Sequence, residues 1–344
     1  MSDRHPVLFL TDRGQRHQQA ALEAAPQELD VTMMRRPPKE EILRVLPEVE
    51  FLISERSGTV DADLIAAGRR LRLIQRLGSL TYDIDLEAAR AAGVPVAAWP
   101  VRIAIMVAEH MILQILVLSK RLGEVAGIAN EAGDWGKPSR RTDEDTFAYD
   151  WSGRNGIRSL YGLTVGILGF GEIGAELARR LQGFGPARIL YRKRTRLPER
   201  AEQALGITYA SMEKVIAESD TLCLLLPYFP ETDMLLDAAL LSRMKRGAFL
   251  VSCGSGSVIN EAALAQALQE QHLAGVALDT FEWEPIRPDN PLLPLARDPT
   301  RNVLLTPHTA AGSSRDADSG QTRRSDYANL LRVLRGEPPL HRVA

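Results

Sequence analysis

Residues 163–196, LTVGILGFGEIGAELARRLQGFGPARILYRKRTR, decide the fold class of this chain. An apolar run at 163–168 leads into a glycine-rich turn, and a helical pattern of apolar residues follows from Ile173 to Leu181. A second apolar run at 189–191 comes near the end of the segment. Strand, glycine turn, helix and strand in this order predict a βαβ unit, which is the context in which such a turn binds a dinucleotide.

The turn carries three glycines at the spacing G-x-G-x-x-G. Gly169 permits a tight turn, Gly171 lets the backbone approach a pyrophosphate, and Gly174 lets the helix pack closely on the strand. The first N–H groups of the helix would face the phosphates. An ordinary βα turn without a ligand is the alternative. Six residues are therefore candidates for cofactor binding: Gly169, Phe170, Gly171, Glu172, Ile173 and Gly174.

The end of the second strand bears on the choice between the two nicotinamide cofactors. A unit that binds NAD usually has Asp or Glu there, which accepts hydrogen bonds from the ribose hydroxyls. This chain has Arg192, followed by Lys193, Arg194 and Arg196. Because the planar guanidinium suits a phosphate, these cations favour the 2′-phosphate of NADP(H), with NAD(H) still possible. A solvated basic loop that binds nothing is the alternative.

The length and composition indicate a globular protein with two domains. A chain of 344 residues is too long for one ordinary core. Its 45% hydrophobic and 25% charged residues are the balance of a folded rather than a disordered protein. The formal net charge of -2 provides no general attraction to nucleic acid or to an anionic membrane, so we expect neither as a partner.

The cysteines and the apolar segments bear on the compartment. Cys223 and Cys253 lie within apolar runs, which is typical of packing residues in a reducing compartment and not of a disulfide framework or a metal site. The N-terminus lacks the basic-then-apolar pattern of a signal peptide. The longest apolar segment, 103–119, is interrupted by three polar residues, so we interpret it as a buried or interface helix and not as a membrane span. We expect a cytoplasmic protein without a metal.

Short apolar runs alternate with helical patterns along the chain, which predicts α/β domains with parallel sheets. The predicted strands before the βαβ unit are 7–10, 31–33, 51–54, 73–77 and 94–98. Those after it are 221–226, 248–253, 275–279 and 303–306. Between the two groups we predict a long helix at 104–122 and a polar loop at 130–159, and near the end a helix from about 319 to 335.

Ligands of open parallel sheets bind outside the carboxyl ends of the strands. The residues at these ends in the second half of the chain are site candidates: Pro227, Cys253, Gly254, Ser255, Asp279, Glu284 and His308. His308 and Glu284 could form an acid–base pair, because the carboxylate would orient the imidazole and raise its basicity. Each also has an ordinary interpretation, His308 as a loop residue and Glu284 as the cap of a turn.

Five segments together resemble the D-isomer-specific 2-hydroxyacid dehydrogenase family, and the resemblance covers nearly the whole chain. They are LTVGILGFGEIG, LLLPYFPET, ALDTFEWEP, LLTPHTAAG and VAEH at 107–110. The resemblance implies two doubly wound parallel-sheet domains: a Rossmann cofactor domain at 104–309, inserted in a flavodoxin-like substrate domain formed by 1–103 and 310–344. It also implies a homodimer that acts on a small-molecule substrate.

The resemblance assigns roles to individual residues. It makes His308 the general acid/base at the substrate oxygen, with Glu284 as its partner, and makes Asp279 a contact of the nicotinamide carboxamide. Arg192 occupies the position of the family's usual ribose-binding acid, which agrees with the prediction of NADP(H). The strand-end residues Pro227, Cys253, Gly254 and His308 fall among the family's cofactor contacts.

The departures from the family pattern fall at the positions that bind substrate. Where the family resembles V-N-x-x-R-G-G-x-V-D-E, residues 251–261 here read VSCGSGSVINE, so Ser255 occupies the position of the arginine that clamps a substrate carboxylate. Less polar or larger residues also occur at three further positions: Leu80, Ile103 and Leu225. Arg56 and Arg102 could supply a replacement cation, although each taken alone reads as a surface residue.

Two classes of function follow. The first is an NADP-dependent oxidoreductase whose substrate is not a standard small 2-keto acid, favoured by the retained pair His308 and Glu284. The second is a catalytically silent NAD(P)-binding protein that controls a partner, favoured by Ser255. A net non-redox reaction assisted by NAD(P) is a third alternative. A screen of keto acids, ketones and aldehydes that follows NADPH absorbance discriminates the first two.

Overall fold

The computed structural model describes residues 4–55, 58–132, 138–145, 149–312 and 323–344. The chain divides into two compact units. Unit 1 combines Met1–Ile105 with Ala311–Ala344, and unit 2 is the continuous segment Met106–Ala310. The chain therefore leaves unit 1, forms unit 2, and returns to unit 1.

Unit 1 is built on a five-stranded sheet with the order β2-β1-β3-β4-β5, in which every neighbouring pair is parallel. Its strands are β1 (His5–Thr11), β2 (Leu29–Arg35), β3 (Phe51–Glu55), β4 (Leu73–Leu77) and β5 (Val96–Trp99). Its helices are α1 (Gln15–Glu23), α2 (Lys39–Val45), α3 (Ala62–Ala67), α4 (Leu86–Ala91) and, at the carboxyl end of the chain, the helix Ala328–Leu334. This strand order is that of flavodoxin-like doubly wound sheets, as predicted.

Helices cover both faces of this sheet, which explains its continuous apolar strands. On β1, Leu8 and Leu10 pack in one cluster with Ile42 of α2 and Leu64 of α3. The alternate residues of the same strand pack in a second cluster with α1 and the carboxyl-terminal helix. Successive side chains of a strand point to opposite faces, so both sets are buried.

Unit 2 is built on a seven-stranded sheet with the order β12-β11-β10-β9-β6-β7-β8, again with parallel pairs throughout. Its strands are β6 (Thr164–Leu168), β7 (Arg188–Arg192), β8 (Thr208–Tyr209), β9 (Thr221–Leu224), β10 (Ala248–Ser252), β11 (Leu273–Leu278) and β12 (Val303–Leu305). The order reverses beside β6, where the chain first moves outward to β8 and then returns to β9. This is the Rossmann arrangement with one additional strand, and the predicted fold class is confirmed.

The chain passes from unit 1 to unit 2 within the first of the next helices, since unit 2 begins at Met106. These helices are α5 (Arg102–Lys120), α6 (Leu122–Glu131), α7 (Glu172–Gln182), α8 (Glu199–Leu205), α9 (Met212–Glu218), α10 (Ala238–Ser242), α11 (Glu261–Gln269) and α12 (Leu293–Arg297). The carboxyl-terminal helix of unit 1 is thus α13. By length and composition α5 could cross a membrane, but 44% of its most apolar window is buried within the structure. Core helices of globular units have the same composition.

The predicted boundaries differ from the structure in a few places. Helix α5 ends at Lys120, and Arg121 adopts a left-handed conformation with φ of 51° before α6 begins, so the helical region extends to Glu131. The two-residue strand β8 was not predicted. Part of the predicted terminal helix, 319–322, lies outside the described residues, and its end is confirmed, since α13 stops at Leu334 shortly before Gly336 with φ of 77°.

Candidate active site

The loops after β11 and β12 bring His308 and Glu284 together. His308 Nδ1 lies 2.6 Å from Glu284 Oε2, and Glu284 Oε1 accepts a hydrogen bond from the Phe281 N–H at 3.1 Å. A carboxylate only accepts hydrogen bonds, so Nδ1 is the donor and Nε2 is left as the group that can exchange a proton with a ligand. The ring remains reachable, because 60% of the His308 side chain is exposed.

The backbone of His308 is held in an unusual conformation. Its φ is 52°, in the left-handed region that residues other than glycine seldom adopt. Its N–H donates to the backbone oxygens of Asp279 and Thr306, both at 2.9 Å. Backbone conformations of this kind persist where surrounding contacts fix them, and they are concentrated at functional sites.

Asp279 lies at the end of β11 and is buried, with 1% of its surface exposed. Its Oδ1 accepts hydrogen bonds from Thr306 Oγ1 at 2.6 Å and from the Thr309 N–H at 2.9 Å, and its Oδ2 accepts one from the Ala310 N–H at 2.8 Å. The predicted contact with a nicotinamide carboxamide would therefore be added to three hydrogen bonds that the carboxylate already makes.

The glycine-rich turn fits a dinucleotide. Gly169 has φ of 88°, and a Cβ there would lie 2.6 Å from the carbonyl carbon of Leu225, so no other residue fits without displacing the backbone. Gly174 packs on the Phe170 ring, which would be 3.0 Å from a Cβ. Gly171 differs, because a Cβ there would meet no atom within 4 Å. A side chain at Gly171 would project into open space beside the amino end of α7, where a pyrophosphate is expected.

The first turn of α7 contains the remaining two candidates of this motif. Glu172 is its first residue and is 6% exposed, and Ile173 is half-buried. A carboxylate in the first turn interacts favourably with the positive end of the helix dipole.

The basic residues after β7 have different environments. The guanidinium of Arg192 lies 5.2 Å from the centre of the Tyr209 ring, and that of Arg194 lies 5.4 Å from the centre of the Phe229 ring. Arg196 is instead paired with Glu202, which accepts hydrogen bonds from its Nε at 2.9 Å and from its Nη2 at 2.7 Å. From the sequence we predicted that Arg196 is one of the cations available to a phosphate. Its pairing with Glu202 corrects this prediction. The remaining candidates are Arg192, Lys193 and Arg194.

The loop after β10 contains the position at which the family resemblance expects an arginine. The Ser255 N–H donates to the Leu226 oxygen at 2.9 Å, and a short 3-10 helix, Gly256–Val258, follows. A Cβ on Gly256 would lie 2.0 Å from the carbonyl carbon of Phe281, so the loop packs directly on the end of β11. Ser255 is half-buried, and its hydroxyl has no hydrogen bond within the part of the chain that the structure describes.

The neighbouring strand ends complete this edge of the sheet. A Cβ on Gly254 would lie 2.8 Å from the Leu226 oxygen, and the Gly254 oxygen accepts a hydrogen bond from Thr280 Oγ1 at 2.7 Å. Cys253 Sγ lies 3.4 Å from Gln114 Oε1, and burial raises the pKa of its thiol. Cys253 is thus a packing residue. Pro227 lies three residues beyond the end of β9 and is exposed.

The other substrate-site candidates belong to unit 1. Leu80 is buried, and its backbone oxygen accepts a hydrogen bond from Arg76 Nε at 2.9 Å. Arg102 and Ile103 begin α5 and are exposed, Ile103 by 44%. Arg56 lies outside the described residues. Within the described residues, no group of three or more His, Cys, Asp or Glu side chains could hold a metal ion.

One polar contact near His308 was not predicted. His110 of α5 places Nε2 3.2 Å from Thr306 Oγ1 and 3.5 Å from Asp279 Oδ1. A signal was available, because His110 and Gln114 are polar residues four apart on a mainly apolar helix and therefore share a face. That face packs on the carboxyl edge of the sheet of unit 2.

Comparisons with known proteins agree with this geometry. Residues 134–310 match the family described as D-isomer specific 2-hydroxyacid dehydrogenase, NAD binding domain. The chain is 34% identical over 315 residues to a glyoxylate reductase of Korarchaeum cryptofilum, covering 91% of this chain and 88% of the relative. It is 31% identical to a D-3-phosphoglycerate dehydrogenase of Mycobacterium leprae, of which it spans 57%.

The chain is also similar in fold to a solved structure. The PH0520 protein from Pyrococcus horikoshii OT3 is 28% identical, with a TM-score of 0.56 and coverage of 99% of this chain and 95% of that one. The matched family segment contains the glycine-rich turn, the basic loop and the pair His308 and Glu284. The chain therefore belongs to the D-isomer-specific 2-hydroxyacid dehydrogenase family, whose members bind a nicotinamide cofactor.

Proposed function

We propose that this protein is an NADP(H)-dependent oxidoreductase that transfers a hydride between the nicotinamide and a hydroxy or keto substrate other than a standard small 2-keto acid. The observation that carries the proposal is the 2.6 Å contact between His308 Nδ1 and Glu284 Oε2 at the carboxyl edge of a dinucleotide-binding sheet. An oriented imidazole with a free Nε2 is the group that carbonyl reduction requires, since a proton must reach the developing alkoxide.

Each part of the proposed site has one function in the reaction. The bound cofactor supplies or accepts the hydride. His308 Nε2 donates a proton to the substrate oxygen in reduction and removes it in oxidation. Glu284 holds the ring through Nδ1 and stabilises the imidazolium, while the Phe281 N–H holds Glu284. The glycine-rich turn and the start of α7 bind the pyrophosphate through backbone N–H groups.

The proposed substrate class rests on Ser255, which occupies the position of the family's carboxylate-binding arginine. A short neutral hydroxyl at Ser255 cannot make the paired charged hydrogen bonds that an arginine makes to a carboxylate. Each such hydrogen bond contributes about 1.5–3 kcal/mol, so its absence disfavours glyoxylate and similar acids. The names of the relatives instead point to glyoxylate and 3-phosphoglycerate as substrates. Steady-state assays with keto acids, ketones and aldehydes at a fixed NADPH concentration decide between these substrate classes.

The cofactor preference rests on Arg192, Lys193 and Arg194. The last residue of β7 is Arg192, where a ribose-binding acid is usual, and Glu202 is already paired with Arg196. A 2′-phosphate would place its charge beside Arg192, which is half-buried with its guanidinium over the Tyr209 ring. Arginine forms such contacts with phosphate through its planar fork of donors.

Arg192→Asp should weaken NADP(H) binding by about 1–3 kcal/mol, the scale of charge-assisted hydrogen bonds, and should improve NAD(H) binding. Titration of both cofactors against both proteins measures the change. Arg188→Asp is the matched control, because it alters the net charge equally at the opposite end of β7, where Arg188 pairs with Glu218. Equal affinities of the wild-type protein for the two cofactors would contradict the preference.

Gly171→Ala should weaken binding of either cofactor by about 5- to 150-fold, which corresponds to the 1–3 kcal/mol typical of overpacking. The free protein should change in stability by less than about 0.5 kcal/mol, since a Cβ at this position meets no protein atom within 4 Å. Calorimetric titration and thermal unfolding measure the two quantities. Gly183→Ala, at the other end of α7, is the control that should leave both unchanged. Unchanged affinity in Gly171→Ala would place the pyrophosphate elsewhere.

The second candidate is a silent cofactor-binding protein that controls a partner, and Ser255 is the residue that favours it. The same substrate screen separates the two functions. If the protein binds NADPH tightly but no carbonyl compound of the screen causes NADPH oxidation, the result supports a catalytically silent cofactor-binding protein.

We also propose that the protein is a homodimer. Helix α5 retains a stripe of partly exposed apolar side chains at helical spacing: Ile105, Met106, Ile112, Leu113 and Leu116. Leu113 is 52% exposed, and apolar side chains left exposed on one face of a helix are typical of an association surface. Light scattering at several protein concentrations measures the assembly state.

A further inference from the structure

A single residue binds three consecutive backbone N–H groups around the candidate acid/base. The N–H of His308 donates to the backbone oxygen of Asp279 at 2.9 Å. The next two, those of Thr309 and Ala310, donate to Asp279 Oδ1 at 2.9 Å and Oδ2 at 2.8 Å. The whole segment that carries the His308 ring is thus bound to the end of β11. We call these three hydrogen bonds the Asp279 clamp.

Two side chains support the clamp from behind. Thr306 Oγ1 donates to Asp279 Oδ1 at 2.6 Å, so its single proton is used and it can only accept from His110 Nε2 at 3.2 Å. His110 Nε2 therefore carries a proton and donates toward Thr306 and, at 3.5 Å, toward Asp279 Oδ1. Asp279 is 1% exposed, and a buried carboxylate requires such a set of donors.

The clamp lies where the chain changes unit. Ala310 is the last residue of unit 2, and the segment that begins at Ala311 belongs to unit 1. His110 is on α5, the helix on which the chain enters unit 2 at Met106. Both crossing segments are thus joined to one buried carboxylate within unit 2.

The clamp explains how His308 keeps its left-handed backbone conformation. A non-glycine residue with φ of 52° relaxes to another conformation unless its neighbours prevent it. Glu284 binds only the ring, through Nδ1, and does not fix the backbone. The His308 N–H is bound by the backbone oxygens of Asp279 and Thr306, and the Asp279 carboxylate binds the next two N–H groups. Glu284 thus fixes the ring, and Asp279 fixes the backbone segment that carries it.

We propose that Asp279 is a positioning residue that fixes the backbone segment from which the His308 ring projects, with Thr306 and His110 as its supports, and that this is its main function, ahead of any contact with the cofactor. The proposal deepens the proposed function, because it rests on His308 as the acid/base. It extends the site by two residues, Thr306 and His110, that the family resemblance did not assign.

The test uses two near-isosteric variants and one control in the full-length protein. Asp279→Asn cannot accept hydrogen bonds from all three donors of the carboxylate, which are Thr306 Oγ1, the Thr309 N–H and the Ala310 N–H, because one of its two terminal atoms is itself a donor. Thr306→Val keeps the carboxylate and removes one of its donors. Asp220→Asn is the control, since Asp220 accepts the Thr164 N–H at 2.8 Å at the opposite edge of the same sheet.

We expect Asp279→Asn to lower kcat at least tenfold, and Thr306→Val to lower it about threefold, with KM and the cofactor Kd changed less than twofold. Asp220→Asn should leave kcat unchanged even where it lowers Tm. The opposite pattern in Asp279→Asn, a cofactor Kd weakened tenfold with kcat retained, would overturn the proposal and make Asp279 a cofactor ligand.

A spectroscopic measurement on the cofactor-free protein separates this proposal from the proposed function. The imidazole ¹⁵N resonances of His308, assigned with His308→Gln, should shift or broaden in Asp279→Asn and in Thr306→Val but not in Asp220→Asn. Unchanged His308 resonances in both clamp variants would overturn the positioning function. The result does not depend on turnover, so a wild-type protein that reduces no substrate would contradict the proposed function alone.

Discussion

His308→Ala should lower kcat by about 10²- to 10⁴-fold, the usual contribution of a general acid/base, while the cofactor Kd stays within twofold. The imidazole is 60% exposed and its Nε2 has no function in the fold, so its removal should leave the structure intact. Steady-state kinetics on the best substrate of the screen, with fluorescence titration of NADPH, measures both quantities.

Glu284→Gln provides the graded comparison for this prediction. An amide oxygen at this position can still accept from Nδ1, but it carries no charge to stabilise the imidazolium. Its kcat should therefore fall between those of wild type and His308→Ala. Normal turnover in His308→Ala would mean that another group supplies the proton. The general acid/base function that the family resemblance assigns to His308 would then be wrong.

The fold could be predicted because both sheets are covered on both faces. Strands buried on two sides read as unbroken apolar runs, as in β4 and β10, and the runs alternate with helical patterns. Most boundaries fall within two residues of the prediction. Strand β8 was missed because two residues provide no pattern, and the end of α5 was missed because the left-handed Arg121 leaves the apolar periodicity uninterrupted.

The candidate site was predictable to the extent that it depends on strand order. Asp279, Glu284 and His308 follow neighbouring parallel strands, and the carboxyl ends of such strands meet at one edge. The contacts among them were not predictable. The clamp joins Asp279 to residues 30 and 31 positions later, and no local pattern indicates which N–H groups a buried carboxylate will bind.

The contacts of the basic loop at 192–196 were also not predictable, although the residues involved are close in sequence. Arg196 and Glu202 are six residues apart and are joined across the start of α8. The sequence shows four cations in a row of five, but it does not show that Arg196 is held by Glu202 against the Tyr191 hydroxyl. The phosphate candidates are therefore fewer than the sequence suggests, which makes the Arg192→Asp test sharper.

Ser255→Arg should raise kcat/KM for at least one of glyoxylate, pyruvate and hydroxypyruvate by roughly tenfold or more, if one charged hydrogen bond to the substrate carboxylate is restored. The wild-type protein should reduce these acids poorly, because Ser255 is neutral and short. The gain is limited by the cost of placing a new guanidinium in a half-buried loop, where it needs hydrogen-bond partners of its own. Steady-state assays of wild type and variant on the three acids measure the effect.

Ser257→Arg is the matched control, because it adds the same side chain two residues later, on the 3-10 helix that packs against Phe281. It should not raise activity on any of the three acids, since a cation there lies outside the position that the family uses for the carboxylate. Efficient reduction of glyoxylate by the wild-type protein would contradict the altered substrate class. Another cation would then perform the arginine's function, and Arg56 and Arg102 are the first residues to replace with alanine.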